Sequence, residues 1–448
     1  MKQVAFPFLA LVLGLFSCQT PKDSATEASP LNILMIISDD QGWNDYGFMG
    51  HPQIETPHID RLAANSLTFT RGYVTAPLCR PSLASMVSGL YPHQHGVTGN
   101  DPTFTPGPDT KRYTPEWLAE RKPYNDQLVR NLHAHLTLPQ LFTQAGYLTL
   151  QTGKWWEGSW RDGGFSHGMT HGDPARDARH GDEGLTIGRE GLAPIYDLLD
   201  TAQAQAKPFF IWYAPYMPHF PHTPPAELET KYAARTSSPA VARYWAMCDW
   251  FDQTVGELMN TLQDRGLAEN TLVVYVCDNG WIQNPDKPNR YAPRSKRSPY
   301  EMGIRTPIMY HWPGQIEARM DSQHLASSLD LMPTILAAAG MDVPAGLPGL
   351  NALDPTAVDS RQVLFAETFE HDIADIHDPV KSLQHRIMLS PPWKLILPNP
   401  EVLPEARAEL YDLGQDPDET ENMAEAMPER LSDMVATLDA WWQPAGPH

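Results

Sequence analysis

The chain has 448 residues, 42% of them hydrophobic, enough for one large domain with a smaller one beside it, and too apolar for a disordered chain. Its formal charge of −21 excludes a general nucleic-acid role and repels anions at long range. Any anion site must therefore be local, built from a few Lys, Arg or His side chains.

At the N-terminus, Lys2 precedes an apolar run, residues 4–16, which reads as a targeting segment too short to span a bilayer. Leu15-Phe16-Ser17-Cys18 resembles a bacterial lipobox. That resemblance implies a signal peptide over 1–17, cleavage before Cys18 and acylation of its sulfur. Residues 18–30 then form a polar, lipidated tether. The expectation is an exported protein, periplasmic or on a bacterial cell surface, touching membrane only through the lipid on Cys18. The alternative is an ordinary secretory signal with an incidental cysteine. Three further thiols, Cys79, Cys248 and Cys277, make no disulfide framework.

Short apolar runs follow at 31–38, 147–153, 208–214, 271–277 and 307–310, with helical patterns between them, clearest over 243–264. Strands alternating with helices predict an α/β fold with a central, mostly parallel sheet flanked by helices on both faces. Such sheets hold ligands at their strand C-termini. Beyond residue 345 the texture changes to Pro, Gly and short strand-like runs, then a terminal helix from about 428 to 442. This predicts a catalytic domain over 31–344 and a C-terminal subdomain over 345–448 with a small antiparallel sheet.

Polar residues gather where these runs end. Asp39-Asp40 closes the first and Asp278-Asn279 the fourth. Three carboxylates and an amide at one sheet edge repel one another unless a cation sits among them, and all-oxygen donors suit Ca2+, with Mg2+ as the alternative. Cys79 stands at the mouth of a predicted helix closed by Gly89. A helix N-terminus favours anions, so this thiol is expected to be a nucleophile with a depressed pKa. Lys154 follows the second run, and His219, held between prolines, follows the third. A rigidly placed imidazole suits proton donation to a leaving oxygen.

The segment Cys79-Arg80-Pro81-Ser82-Leu83, leading to Ser88-Gly89, resembles the sulfatase signature Cys-x-Pro-x-Arg, with Leu83 departing where the family has Arg. Gly153-Lys154-Trp155-Trp156-Glu157-Gly158 is similar to the family's Gly-Lys-Trp-His-Leu-Gly, with Trp156 in place of His. Ala214-Pro215-Tyr216-Met217-Pro218-His219 looks like its Ala-Pro-His-x-Pro loop, and Lys296 through Pro307 like its Lys-x-x-x-Tyr-Glu-Gly-Gly-x-Arg-x-Pro. The likeness runs from about 31 to 425. It implies an alkaline phosphatase-like fold and a sulfuric ester hydrolase acting on sulfated small molecules or glycans. It further implies oxidation of Cys79 to formylglycine by a formylglycine-generating enzyme. In that family Asp39, Asp40, Asp278 and Asn279 correspond to Ca2+ ligands, and the residue at Cys79 is held by the same ion. Lys154 and Lys296 correspond to sulfate-binding lysines, and His219 to the proton donor.

The departures carry expectations of their own. Arg80 is expected to replace the guanidinium absent at Leu83, and His167 or His171 to replace the imidazole absent at Trp156. Glu301 and Arg305 are expected to pair structurally, His95 to bond beneath the site, and His222 to be a loop or surface histidine. Two rival functions remain: a phosphodiesterase or phosphonate monoester hydrolase on the same fold, and an inactive sulfated-glycan binding protein.

Overall fold

The computed structural model describes residues 1–3, 30–173 and 179–444. The apolar run expected to be part of a signal peptide, and Cys18, lie outside the described residues. Nine strands form the main sheet: β1 (Asn32–Ser38), β2 (Leu67–Tyr73), β3 (Leu148–Gly153), β4 (His167–Gly168), β5 (Phe209–Ala214), β6 (Thr271–Cys277), β7 (Arg305–His311), β8 (Arg319–Asp321) and β9 (Ala326–Ser327). Their order is β9-β2-β7-β6-β1-β5-β3-β4, with β8 also paired to β2. Only β7 runs antiparallel to its neighbours, β2 and β6. The sheet is thus mixed and mostly parallel, as the alternation of strands and helices requires.

The central strands are apolar on both faces because both faces are covered. In β1, Ile33, Met35 and Ile37 enter one core while Leu34 and Ile36 enter the other. β6 divides in the same way, with Leu272, Val274 and Val276 against Val273 and Tyr275. Helix Cys79–Ser88 packs on the first face through Leu83, Met86 and Val87. Helix Pro239–Asp264 packs on the second through Met247, Phe251, Val255, Leu258 and Leu262. Cys248 and Cys277 are free and buried. Among the described residues, no helix is long and apolar enough to cross a membrane.

Strands β10 (Leu364–Phe369), β11 (Leu383–Ser390), β12 (Trp393–Pro398) and β13 (Glu409–Asp412) form a separate antiparallel sheet in sequential order. Helix Pro428–Trp441 covers it through Met434 and Leu438. Leu364, Ala366, Ile387 and Leu389 reach the core of the main sheet. The buried Lys394 lies 3.1 Å from Glu301 and 2.7 Å from Glu419, so this sheet grips the segment that follows Lys296. The expected Glu301–Arg305 pair is present at 3.7 Å, and Lys394 is the nearer cation.

Candidate active site

Four adjacent parallel strands, β6-β1-β5-β3, end on one edge; β6, β1 and β3 each deliver a polar group directly past the last residue, and β5 leads into the loop that carries His219. In register, Ser38 lies beside Cys277 and Gly153 beside Ala214. Asp39 and Asp40 therefore emerge next to Asp278 and Asn279, with Lys154 two strands away and His219 on the loop between. Gly153 makes this spacing possible. Its φ is +77°, and an added Cβ would lie 1.8 Å from the Ala214 carbonyl oxygen. The close approach lets the Lys154 N–H donate to that oxygen at 2.7 Å. Asp40 also adopts a left-handed backbone, φ 60°, held by its N–H donating to Asp278 Oδ1 at 3.0 Å.

The side chains converge tightly. Lys154 Nζ lies 2.7 Å from Asp39 and 3.6 Å from Asp278. Lys296 Nζ donates to Asp40 and lies 3.1 Å from Cys79 Sγ. Asn279 Nδ2 donates to Asp40 Oδ1 at 2.7 Å, and Cys79 Sγ stands 4.0 Å from Asp39 Oδ1. His219 Nε2 is 3.3 Å from Asp40 Oδ2, and its Nδ1 faces the Phe220 carbonyl oxygen. His219 is the partly exposed member; the others are buried. Of the nine residues expected at the site, the eight other than Arg80 thus meet in one chamber.

Burial dominates the electrostatics. It raises the Asp39 and Asp40 carboxyls, reinforced by the charge of Asp278, and the lysines do not fully offset it. Burial alone would lower the Lys154 ammonium, but Asp39 and its neighbours hold it above its ordinary value. The expected depressed thiol is corrected. Burial pushes Cys79 up to about 12, against the pull of Lys154 and Lys296. The donor set fits a hard cation. Among the described residues, Asp278 Oδ2 and Asn279 Oδ1 are buried without a hydrogen-bond donor, with Lys154 Nζ 3.6 Å from the former, and Asp40 Oδ2 lies 3.3 Å from His219 Nε2.

The departures from the signature resolve differently from expectation. Leu83 sits in the apolar core beneath the helix. The Arg80 guanidinium donates to Glu157 at 2.7 and 2.8 Å, to Asn125 at 2.8 Å and to the Asn100 carbonyl at 3.3 Å. Among the described residues it makes no bond to Cys79 or to the four acidic-edge residues. Neither His167 nor His171 serves the site: both are exposed, bonded to Ser166 and Glu183 respectively. The imidazole near Trp156 is His180, met edge-on at 5.1 Å. Its Nε2 lies 3.1 Å from the Tyr216 hydroxyl, and the Tyr216 ring stacks on His219 at 4.2 Å. Neither residue was expected here. His180 lies in a loop without pattern, and only its position beside Trp156 reveals it. His95 does bond beneath the site, to Ser85 Oγ at 3.1 Å. His222 is buried against Tyr244 and Trp281 rather than at the surface.

The family described as Sulfatase matches residues 31–341, and N-sulphoglucosamine sulphohydrolase, C-terminal, matches residues 292–440. Human N-acetylgalactosamine-6-sulfatase is 31% identical over 370 residues, covering 74% of this chain and 66% of the relative. The chain thus spans about two thirds of that relative's length. N-acetylgalactosamine-6-O-sulfatase of Bacteroides thetaiotaomicron is 24% identical over 536 residues, covering 97% of each. The crystal structure of Ps i-CgsB in complex with k-i-k-neocarrahexaose superposes with a TM-score of 0.71 at 25% identity, covering 94% of this chain and 95% of that one.

Proposed function

This chain belongs to the sulfatase family, and we propose that it hydrolyses O-sulfate esters of carbohydrates, with N-acetylgalactosamine 6-sulfate as the first substrate to test. The observation that carries this reading is the pair of buried ammonium groups, Lys154 and Lys296, flanking Cys79 in a chain of charge −21. They form a local anion socket that the overall charge does not explain. The names of the relatives support a sugar sulfate as its occupant.

Asp39, Asp40, Asp278 and Asn279 would hold Ca2+, or Mg2+, which supplies charge neutralisation at the sulfate oxygens. Cys79 is the position for formylglycine, whose hydrated aldehyde supplies a nucleophile with a second hydroxyl able to expel sulfate. Lys154 and Lys296 bind the non-bridging oxygens and orient the ester. His219 donates a proton to the departing alcohol. Burial, Lys154 and Lys296 push its imidazole down. A sulfate anion beside those lysines offsets their repulsion, while both ring nitrogens already face oxygens. The protein is further proposed to be exported and lipid-anchored, on the strength of residues 1–18.

A screen of sulfated mono- and oligosaccharides tests the reading, with Cys79→Ala as control and phosphate diesters and phosphonate monoesters in parallel. We expect sulfate release from at least one saccharide, abolished in the variant, and an aldehyde mass on the Cys79 peptide from the native host. Turnover of phosphorus esters alone, or binding of sulfated glycans without turnover, would replace it with one of the two rivals.

A further inference from the structure

His219 stands on an irregular loop, and a proton donor needs a fixed position, because a misplacement of about 1 Å can cost ~100-fold in rate. The loop follows β5 and contains Pro215, Pro218 and Pro221, residues with no N–H to bond it to its surroundings. It pairs with the end of β1 at Asp39, whose N–H donates to the Met217 carbonyl at 3.0 Å. A side chain from outside the loop supplies a second hold. Arg189 Nε and one Nη donate to the Tyr216 carbonyl at 3.2 and 2.6 Å, and the same Nη donates to the His219 carbonyl at 3.0 Å. The other Nη donates to the Pro221 carbonyl at 3.1 Å and to Thr223 Oγ1 at 3.0 Å. A guanidinium carries five N–H groups, and these contacts commit every one of them to the His219 loop. None is left for a substrate anion. Among the described residues no carboxylate pairs with Arg189, whereas Arg80, Arg121 and Arg361 pair with Glu157, Asp101 and Asp330.

The turn that carries Arg189 is built for close approach. Ile187 is buried in the second core. Gly188 has φ +79°, and an added Cβ would lie 2.7 Å from the Tyr213 hydroxyl and 3.3 Å from Met217 Sδ. Its N–H donates to the Gly191 carbonyl at 3.0 Å, which closes the turn. The turn therefore lies against β5 and the root of the loop, and the next side chain reaches across that loop. Two of its acceptors belong to the pair that forms the acid. The Tyr216 ring stacks on His219 at 4.2 Å, and one Nη of Arg189 bonds the carbonyls of both residues. The Tyr216 hydroxyl, 3.1 Å from His180 Nε2, fixes the other end of that ring. The imidazole is thus stacked on an anchored wall, with Nε2 3.3 Å from Asp40 Oδ2.

Resting on the sulfatase reading above, we propose that Arg189 is the positioning residue for His219: its guanidinium clamps the loop so that the imidazole meets the departing alcohol. It acts through His219 and touches neither the sulfate nor the alcohol. Lysine cannot replace it fully, because a single ammonium has three donors and no planar fork to span Tyr216, His219 and Pro221 together.

The test is a double-variant cycle on the sulfated saccharide found by the screen, with wild type, Arg189→Ala, His219→Ala and the combined variant. We expect Arg189→Ala to lower kcat at least about tenfold and to change KM less than about threefold, because binding of the sulfate is left to Lys154 and Lys296. With His219 already replaced, the same change should cost less than about twofold, since the group it positions is gone. A second readout is 4-nitrophenyl sulfate, whose phenolate leaves without a proton: Arg189→Ala should lose far less kcat on it than on the saccharide. Arg189→Lys should recover part of the saccharide loss, and it takes the place of Arg189→Ala in the cycle if that variant fails to fold. Equal losses with and without His219, or equal losses on the two esters, overturn the positioning role and leave Arg189 a support of the fold. Absence of turnover by wild type on every sulfated saccharide overturns the sulfatase reading instead.

Discussion

A buried guanidinium depends on its counter-charge, and Arg80 has one in Glu157. The pair is bidentate, with side chains 0% and 4% exposed. Arg80→Ala leaves a carboxylate buried without its partner, and we expect a loss of about 3–5 kcal/mol. Replacing both residues by Met removes the stranded charge and should restore most of that stability. Urea unfolding of the two variants checks this. A double variant as unstable as the single one would show that Arg80 supports the fold by another route. Residue chemistry of this kind is poorly legible in sequence. Asp39, Asp278 and Lys154 could be placed because each directly follows an apolar strand. Glu157 is 77 positions from Arg80, and no pattern links them. The thiol was misjudged for a related reason. A helix terminus is visible in sequence, whereas complete burial of Cys79 is a property of the assembled chamber, and it outweighs the terminus.

At the scale of elements, the strands were legible because both faces of the central sheet are buried, which writes them as unbroken apolar runs. β2 escaped notice because Thr68, Thr70 and Arg71 interrupt its apolar pattern. Helix Pro115–His133 escaped for two reasons: it buries only Trp117, Leu118, Arg121, Leu128 and Leu132, and it contains Pro123, a residue that reads as a breaker. The element contact most critical to the site is the approach of β3 to β5 at Gly153. Gly153→Ala places a methyl group against the Ala214 carbonyl and strains a positive φ. The strands must separate, and Lys154, the next residue, must leave Asp39. We expect a protein that is either unstable or folded with at least ~100-fold lower kcat/KM, a loss of about 2.7 kcal/mol of transition-state stabilisation. Thermal melts alongside sulfate-release assays distinguish these results; a stable, fully active variant would show that the close approach is dispensable.

The molecule as a whole opposes its own substrate. Its formal charge is −21, and a sulfate ester approaches as an anion. At about 10 mM ionic strength the Debye length is roughly 30 Å, so the field of the entire chain reaches the incoming ester. At about 150 mM it falls to roughly 8 Å. Only groups close to the chamber mouth then act on the substrate, and the attraction of Lys154 and Lys296 survives because both are buried and poorly screened. The C-terminal sheet contributes here by gripping Glu301 through Lys394, which fixes the segment that presents Lys296. Adding monovalent salt should therefore remove repulsion faster than attraction. We expect kcat/KM on a sulfated saccharide to rise severalfold between 10 and about 150 mM NaCl and then level off, with kcat nearly constant, because steering acts on encounter rather than on the bound ester. Initial rates at subsaturating substrate across that series check it. A monotonic fall with salt would mean that the local cations govern approach at long range as well as binding at contact.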